Sequence, residues 1–148
     1  MSNGLLVGED EIISNWAFST FNIFKAPVNQ AVGILNKDGK LVGAILFQNF
    51  NGVNIELSYY GPRTLSCGII RAIARITVGC FNAARLTVVT SKRNKRLMQA
   101  LLKIGFKLEG NQRCYYGHED TPRNTGVRFA MFRPRLNELA EIKTENAV

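Results

Sequence analysis

The segment from Tyr59 to Gly68 has the composition of an anion-binding loop. It follows a predicted strand and leads into a predicted helix at 65–78. Backbone N–H groups in the first turn of a helix have no partner within the helix, and the helix dipole favours negative charge there. A glycine-containing loop that joins a strand to a helix N-terminus therefore suits a phosphate group. We expect the rest of the chain to hold a phosphorylated ligand at this loop.

The excess of basic residues points to a negatively charged partner. The chain has 19 Lys and Arg against 11 Asp and Glu, and its formal net charge is +8. This balance favours a polyanion, which is a nucleic acid, a nucleotide cofactor or an acidic protein surface. The basic residues form no dense block, so a solvated basic face explains them equally well.

The length of 148 residues predicts a single domain, 1–148, with a core of its own. An apolar fraction of 46% is typical of globular rather than disordered chains. No apolar run reaches the roughly 18 residues of a membrane span, and the N-terminus does not resemble a signal peptide. Cys67, Cys80 and Cys114 fit neither a disulfide framework nor a metal site, which indicates the reducing cytoplasm.

Turn signals divide the first half of the chain into short elements. The predicted elements are strand 5–7, helix 10–21 with Asp10 as its cap, and strands 31–36, 41–49 and 53–60. Asp-Gly at 38–39 and Asn-Gly at 51–52 are hairpin signals, so the last three strands form an antiparallel meander. In the third of these strands Glu56, Ser58 and Tyr60 alternate with apolar residues, which puts them on one face of the sheet.

The second half alternates helices and strands. The predicted elements are helix 65–78, strand 84–90, helix 92–104, strand 106–117, loop 118–125, strand 127–133 and a frayed tail at 138–148. A helix between two apolar strands is the pattern of a parallel crossover. Ser91 is a suitable cap for the second helix, and Gly105 ends it.

A spaced set of residues in this half carries a family resemblance. Asn94 follows a strand, Gly105 and Phe106 stand eleven and twelve residues further on, and 107–113 reads Lys-Leu-Glu-Gly-Asn-Gln-Arg. With the element order, this set resembles the GNAT-type N-acetyltransferases over about 12–133. The resemblance is nearest to the branch that acetylates ribosomal-protein N-termini, and it extends to small phage-type members.

The resemblance implies a fold and a co-substrate. The fold is α/β (α+β), with a mixed, mostly antiparallel sheet of six to seven strands, a parallel pair at the cofactor cleft and helices on both faces. The co-substrate is acetyl-CoA, whose pyrophosphate lies on the loop where Arg63 and Gly68 match the family pattern and Ser66 replaces a glycine. The residues implied for acetyl-CoA are Leu57, Ser58, Tyr59, Arg63, Thr64, Leu65, Ser66, Cys67, Gly68, Lys92, Arg93 and Asn94.

Catalytic roles follow from the same resemblance. Glu56 corresponds to the family's general base, although a plain carboxylate on the sheet surface fits its position equally well. The family's usual acid is a tyrosine where this chain has Leu101. Either Tyr59, Tyr60, Tyr115 or Tyr116 takes that role, with Tyr60 and Tyr116 chosen by position, or the thiolate leaves without an acid.

The resemblance implies transfer of an acetyl group to a primary amine, on a protein or a small molecule, by direct attack in a ternary complex. Two alternatives stay open: a GNAT-fold protein that binds or modifies nucleic acid, and a non-catalytic interaction module. The acceptor is set by the loops 21–29 and 118–125, whose sequences do not identify it. A monomer and a homodimer are both compatible with the sequence.

Overall fold

A single mixed sheet forms the centre of the molecule in the computed structural model, which describes residues 4–21, 26–61 and 65–146, with side chains through Glu141. The strands are β1 Gly4–Leu6, β2 Gln30–Leu35, β3 Leu41–Gln48, β4 Asn54–Tyr60, β5 Arg85–Ser91, β6 Lys107–Gln112 and β7 Gly126–Phe132. Among the described residues they form one seven-stranded sheet in the order β1-β2-β3-β4-β5-β7-β6. The sheet confirms the predicted mixed and mostly antiparallel architecture.

Four α-helices surround the sheet in the described part of the chain. They are α1 Asp10–Thr20, α2 Cys67–Arg75, α3 Lys95–Ile104 and α4 Arg133–Asn146. A π-helical turn, Ile76–Cys80, continues α2, and a 3₁₀ turn, Pro122–Asn124, lies in the loop before β7. The β4-α2-β5 unit is the predicted crossover, and β4 and β5 are the parallel pair.

Both faces of the sheet are covered, but unequally. In β3, Ala44 and Leu46 pack under α1, whereas Ile45 and Phe47 face the other core, and each is at most 1% exposed. Burial of one large apolar side chain contributes roughly 1.5–3 kcal/mol, so β3 stabilises both layers. The core opposite α1 receives buried side chains from the other three helices, among them Ile69, Leu101 and Leu136.

The α1 side, which we call the α1 face, is only half covered. Helix α1 packs on β2 and β3, and the other described helices contribute to the opposite core. On this face the even-numbered side chains of β4 therefore lie beyond the edge of α1, as do their neighbours on β5 and β7. The opposite face, which carries α2, α3 and α4, is called the α3 face below.

Two helices begin later than predicted, because side chains within the expected helices act as caps. Helix α2 begins at Cys67 rather than Leu65, since the Ser66 hydroxyl accepts a hydrogen bond from the Ile69 amide at 3.2 Å. Helix α3 begins at Lys95, and its cap is Asn94 rather than Ser91. Capping by short polar side chains fixes where a helix starts.

Two further boundaries differ from the predictions. The strand expected over 106–117 ends at Gln112, because the chain turns at Cys114, whose φ is +55°. The tail at 138–148, expected to be frayed or partly helical, is helical to Asn146. Leu139 is 7% exposed in the core and the Arg75 Nε donates to the Ala140 carbonyl, so tertiary contacts hold a segment that looks weak in isolation.

The cap predicted at Asp10 has a different role. Asp10 is the first residue of α1, and its Oδ1 accepts a hydrogen bond from the Ala31 amide at 3.0 Å. The carboxylate therefore ties the start of α1 to β2. This contact joins two elements that are distant in sequence, so helix-capping preferences alone do not reveal it.

Candidate functional site

The parallel strands β4 and β5 separate before they end. Their register stops at Leu57 and Val88, whereas β4 continues along β3 to Tyr60 and β5 continues along β7 to Ser91. We call the opening between these last residues the strand gap. Backbone groups on both sides of such an opening are available to an extended ligand that adds to the sheet like a strand.

A large cleft opens from the strand gap on the α3 face. Its volume is about 990 Å³. It is bounded by the end of β4, the start of α2, the end of β5 and one side of α3. Among the residues that the structure describes, four cationic side chains and no acidic one line it: Arg93, Arg96, Lys103 and Arg123. This basic cleft has the size and charge for a ligand with several phosphate groups.

The start of α2 offers backbone donors beside this cleft. Ser66, Cys67 and Gly68 are exposed there, and Leu65 and Ile70 line the cleft. The Ile69 amide already donates to the Ser66 hydroxyl, and the Ile70 amide donates to the Ser66 carbonyl. Candidate donors for an anion in this turn are therefore the amides of Cys67 and Gly68. Arg63 and Thr64 lie outside the described residues.

Glycine is required at the end of β4. Gly61 lines the cleft with a φ of +152°, and a Cβ there would come within 2.8 Å of the Gly43 Cα on the neighbouring strand. The chain therefore leaves the sheet at a point where only glycine fits. Its role is to turn the backbone from β4 toward the segment before α2.

The start of α3 forms the opposite wall of the cleft. Arg93 and Asn94 line it, and the Asn94 Oδ1 accepts from the Leu97 amide at 3.4 Å, so this side chain serves as a cap. Lys92, which the sequence grouped with Arg93, lies instead in a separate recess of about 410 Å³. That recess also contains the exposed ion pair between Arg113 and Asp120.

The floor of the basic cleft is apolar. Leu57 and Tyr59 point toward α2 and α3, where Leu101 is 3% exposed. These side chains line a small apolar cavity of about 50 Å³ beneath the cleft, and Tyr59 lines both spaces. Leu101 thus belongs to the core at the position where the family resemblance expects a tyrosine.

The α1 face carries the polar side chains of β4. Glu56 is half-buried, and its Oε1 accepts from the Asn49 side-chain amide at 3.1 Å. Ser58 donates to the Gln48 Oε1 at 3.1 Å. No cationic side chain of the described residues forms an ion pair with Glu56. This carboxylate therefore contacts a side-chain amide rather than a cation.

Tyr60 ends this row of polar side chains on β4. Its ring packs on Phe21, with 5.2 Å between the ring centroids. Burial raises the pKa of the Tyr60 phenol above its ordinary value, the hydrogen bond with Ser58 lowers it, and the neighbouring Tyr115 raises it further. The phenol therefore stays protonated at neutral pH, at the β4 edge of the strand gap.

Two further tyrosines reach the strand gap from the loop between β6 and β7. The Tyr115 ring packs over Gly126, where a Cβ would come within 3.0 Å of the ring. The Tyr116 hydroxyl lies 3.4 Å from the Val89 carbonyl on the separated part of β5. Burial is the main cause that raises the pKa of Tyr116, followed by the nearby Tyr115 and Tyr60. Tyr60 and Tyr116 are thus brought together at the gap.

Three cationic residues of the cleft were not among the predicted site residues. Arg96 and Lys103 share one side of α3, seven residues and about 10 Å apart. Their spacing of seven residues is that of a helical stripe, which the sequence contains, and Arg93 precedes the helix. Arg123 comes from the loop before β7, and no sequence pattern connects it with α3. Only the antiparallel packing of β7 on β5 brings that loop to the cleft.

Within the described residues, no helix is long and apolar enough to cross a membrane. No group of three or more His, Cys, Asp or Glu side chains in that part of the chain is arranged to hold a metal ion.

Neither a protein-family model nor a curated protein sequence matches the chain. Solved structures do resemble it. A mutant form of the spermidine N-acetyltransferase SpeG from Vibrio cholerae aligns with a TM-score of 0.71 at 11% identity, over 91% of this chain and 96% of that one. The ribosomal-protein-S5-alanine acetyltransferase from Vibrio fischeri gives 0.59 at 13% identity, over 82% and 68%.

An acetyltransferase of the GNAT family from Bacillus anthracis aligns with a TM-score of 0.56 at 16% identity, over 69% of this chain and 65% of that one. Together these similarities establish that the chain has the GNAT fold, as the sequence resemblance predicted. The element order, the single parallel pair and the separation of β4 and β5 are the features of that fold on which the site depends.

Proposed function

We propose that this protein is an acetyl-CoA-dependent N-acetyltransferase that acts on a primary amine. The observation that carries the proposal is the strand gap between β4 and β5, which opens into the basic cleft on one face and toward Glu56 and the tyrosines on the other. A thioester held in the gap is accessible to an amine from the opposite face. The GNAT fold supports the same assignment.

The two walls of the cleft suit different parts of acetyl-CoA. The pantetheine arm fits the gap, which begins where the pairing of β4 with β5 stops at Leu57 and Val88. The phosphates fit the Cys67 and Gly68 amides together with the cations of α3. Leu57 and Tyr59 supply the apolar floor. Roles for Arg63 and Thr64 remain predictions from the sequence.

The reaction divides the chemistry between two side chains. The neutral amine attacks the thioester carbonyl carbon, and its extra proton passes to Glu56 through water, because Glu56 lies about 7 Å along β4 before the gap begins. The C–S bond then breaks, and the departing thiolate takes a proton from Tyr116. The Tyr60 phenol is the alternative donor. After these steps Glu56 holds one extra proton and Tyr116 lacks one. Proton transfer through water then restores the starting forms of both side chains.

The test measures co-substrate binding and transfer separately. We expect saturable binding of CoA by calorimetry, and release of free thiol from acetyl-CoA when primary amines are supplied. The amine panel includes spermidine and a peptide with an N-terminal alanine, because two structural neighbours are named for such acceptors. Absence of CoA binding at millimolar concentration contradicts the proposal, whichever amine is used.

A nucleic-acid-binding role is not favoured. The cationic residues Arg93, Arg96, Lys103 and Arg123 converge on one cleft instead of forming a flat basic surface. If nucleic acid were the ligand, its affinity would fall steeply with salt concentration, and CoA would not compete for the site. A purely structural role for the fold instead predicts that Glu56→Gln leaves biological activity intact.

A further inference from the structure

One loop reaches both sides of the strand gap. The segment 113–125, between β6 and β7, carries Tyr115 and Tyr116 toward the α1 face. The same loop carries Arg123 in its 3₁₀ turn, and this side chain lines the basic cleft on the α3 face. The loop is therefore connected to the proposed phosphate site and to the proposed proton donor.

Short backbone hydrogen bonds join the two parts of this loop. The amides of Tyr115 and Tyr116 both donate to the carbonyl of Asn124, at 2.8 and 3.0 Å, and Asn124 is the residue next to Arg123. The Asn124 side chain donates to the Glu119 carbonyl at 2.9 Å. It also packs so closely on Gly117 that a Cβ there would lie 2.7 Å from its Oδ1. Arg123 is thus the neighbour of the residue whose carbonyl both tyrosine amides contact.

The ends of the loop are fixed, whereas the tyrosine contact is weak. The Lys92 amide donates to the Thr125 carbonyl at 2.9 Å, which fastens the loop to the end of β5. The Tyr116 hydroxyl, by contrast, lies 3.4 Å from the Val89 carbonyl, longer than the roughly 2.7–2.8 Å of a good O–H···O bond. A small movement of the tyrosine segment therefore changes where this hydroxyl lies in the gap.

Arg123 has the properties of an anion-binding side chain. It forms no ion pair with any described residue, and it faces a cleft whose other charged side chains are all cationic. Arginine binds phosphate through two parallel N–H donors, which fixes the guanidinium in orientation as well as position. A phosphate held in this way fixes the guanidinium of the residue next to Asn124.

We propose that Arg123 binds a phosphate group of CoA and thereby positions the Tyr116 hydroxyl in the strand gap. The proposal rests on the proposed function and names a positioning residue for it. The phosphate then contributes to turnover as well as to affinity, because the bound phosphate sets the geometry of the proton donor. Thioesters without a phosphate, such as S-acetylpantetheine, consequently lose kcat and not only affinity.

Fluorine NMR tests this coupling without requiring turnover. The chain has four tyrosines, so labelling with 3-fluorotyrosine gives four signals, which single Tyr→Phe variants assign. The probe is adenosine 3′,5′-bisphosphate, which carries phosphates but no pantetheine arm and so does not extend into the gap. We expect a saturating concentration, verified by calorimetry, to shift the Tyr116 signal in the unmodified protein and not in Arg123→Gln.

Two variants separate coupling from binding. Arg96→Gln removes a cation of the same cleft, but one that lies on α3 and not on the loop. We therefore expect saturation to need more probe, and the Tyr116 signal still to shift once the site is saturated. Gly117→Ala disturbs the packing on Asn124 outside the cleft. We expect this variant to leave CoA affinity within about twofold, because it changes no residue of the cleft. We also expect it to abolish the Tyr116 shift.

Kinetics provide the second measurement. In the unmodified protein we expect kcat with acetyl-CoA to exceed kcat with S-acetylpantetheine by about tenfold, and Arg123→Gln to remove most of that difference. A Tyr116 signal that does not respond to bound probe, or that responds equally in Arg123→Gln, overturns the inference while leaving the acetyltransferase proposal standing. Absence of CoA binding overturns both.

Discussion

The side chains on the two faces of β4 differ in chemical character, although they alternate along one strand. Leu57 and Tyr59 face the basic cleft, where the surrounding groups are cations, backbone amides and apolar side chains. Glu56 and Tyr60 face the opposite side, where their hydrogen-bond partners are the uncharged side chains of Asn49 and Ser58. The pleat of the strand thus separates the residues proposed to bind the co-substrate from those proposed to transfer protons. Variants on the two faces should consequently change different constants.

The largest effect is expected for Glu56→Gln. Loss of the proton acceptor should lower kcat on the order of 10²–10³-fold, within the range of general base catalysis, while the Kd for CoA stays unchanged. Steady-state kinetics and calorimetry measure the two constants. The control is Glu11→Gln, an exposed carboxylate on α1. Equal loss of CoA affinity in Glu56→Gln would show that the two faces are not separable.

Tyr116→Phe should give the next largest effect. We expect kcat to fall roughly 10–100-fold because the thiolate leaves without its acid, with little change in CoA affinity. Tyr115→Phe is the control, since its hydroxyl has no assigned role.

The pH profile sharpens this prediction. Burial raises the pKa of Tyr116 above the ordinary value of 10.0, so its protonated, active form persists through neutral and moderately alkaline pH. The decline of kcat due to Tyr116 ionisation should therefore begin only above pH 10. A decline at lower pH that Tyr116→Phe abolishes contradicts the assignment.

On the other face, Arg96→Gln should raise the Kd for CoA by about fivefold to tenfold, because one charged contact to phosphate is removed. At saturating acetyl-CoA, kcat should be unchanged. The salt dependence of CoA binding should also become less steep, since fewer cations take part. Lys107→Gln, an exposed change on β6, removes the same charge elsewhere. If it weakens binding equally, net charge rather than the cleft is responsible.

Ser66→Ala should have the smallest effect on function. The Ser66 hydroxyl caps α2, so its loss should lower the free energy of unfolding by about 1 kcal/mol. In a chain of this size the Tm should fall by about 2–4 °C. CoA affinity should change by less than about twofold, because the proposed donors are the Cys67 and Gly68 amides. Ser66→Asn retains a capping side chain and should retain the Tm. A large loss of CoA affinity would indicate that the Ser66 hydroxyl itself binds the phosphate.

Local signals in the sequence predicted most of the fold. Alternation in β4, the Asp-Gly and Asn-Gly turns, and an apolar strand after a helix led to the meander and the parallel crossover. The boundaries were less accurate. Ser66 and Asn94 move the helix starts because a capping residue competes with helix continuation, and α4 persists because Leu139 is buried by other elements.

Local signals in the sequence predicted the candidate site only in part. The roles that the sequence predicted for Glu56 and Asn94 stay predictions, and the structure brings Tyr60 and Tyr116 to one gap. The sequence missed Arg123, and it grouped Lys92 with Arg93 although these two neighbours line different recesses. Adjacent residues at the end of a strand point in different directions, so sequence proximity does not decide which cavity a side chain enters.

The sequence by itself determined the order of elements as far as β7, the alternation of β4 and the positive charge, because each depends on neighbouring residues or on a sum over the chain. Only the tertiary structure decided where β4 and β5 separate and which cations share a cleft. It also decided that one loop contacts both faces of the sheet. These features depend on the register of strands distant in the chain, and strand register is fixed by the packing of both cores together.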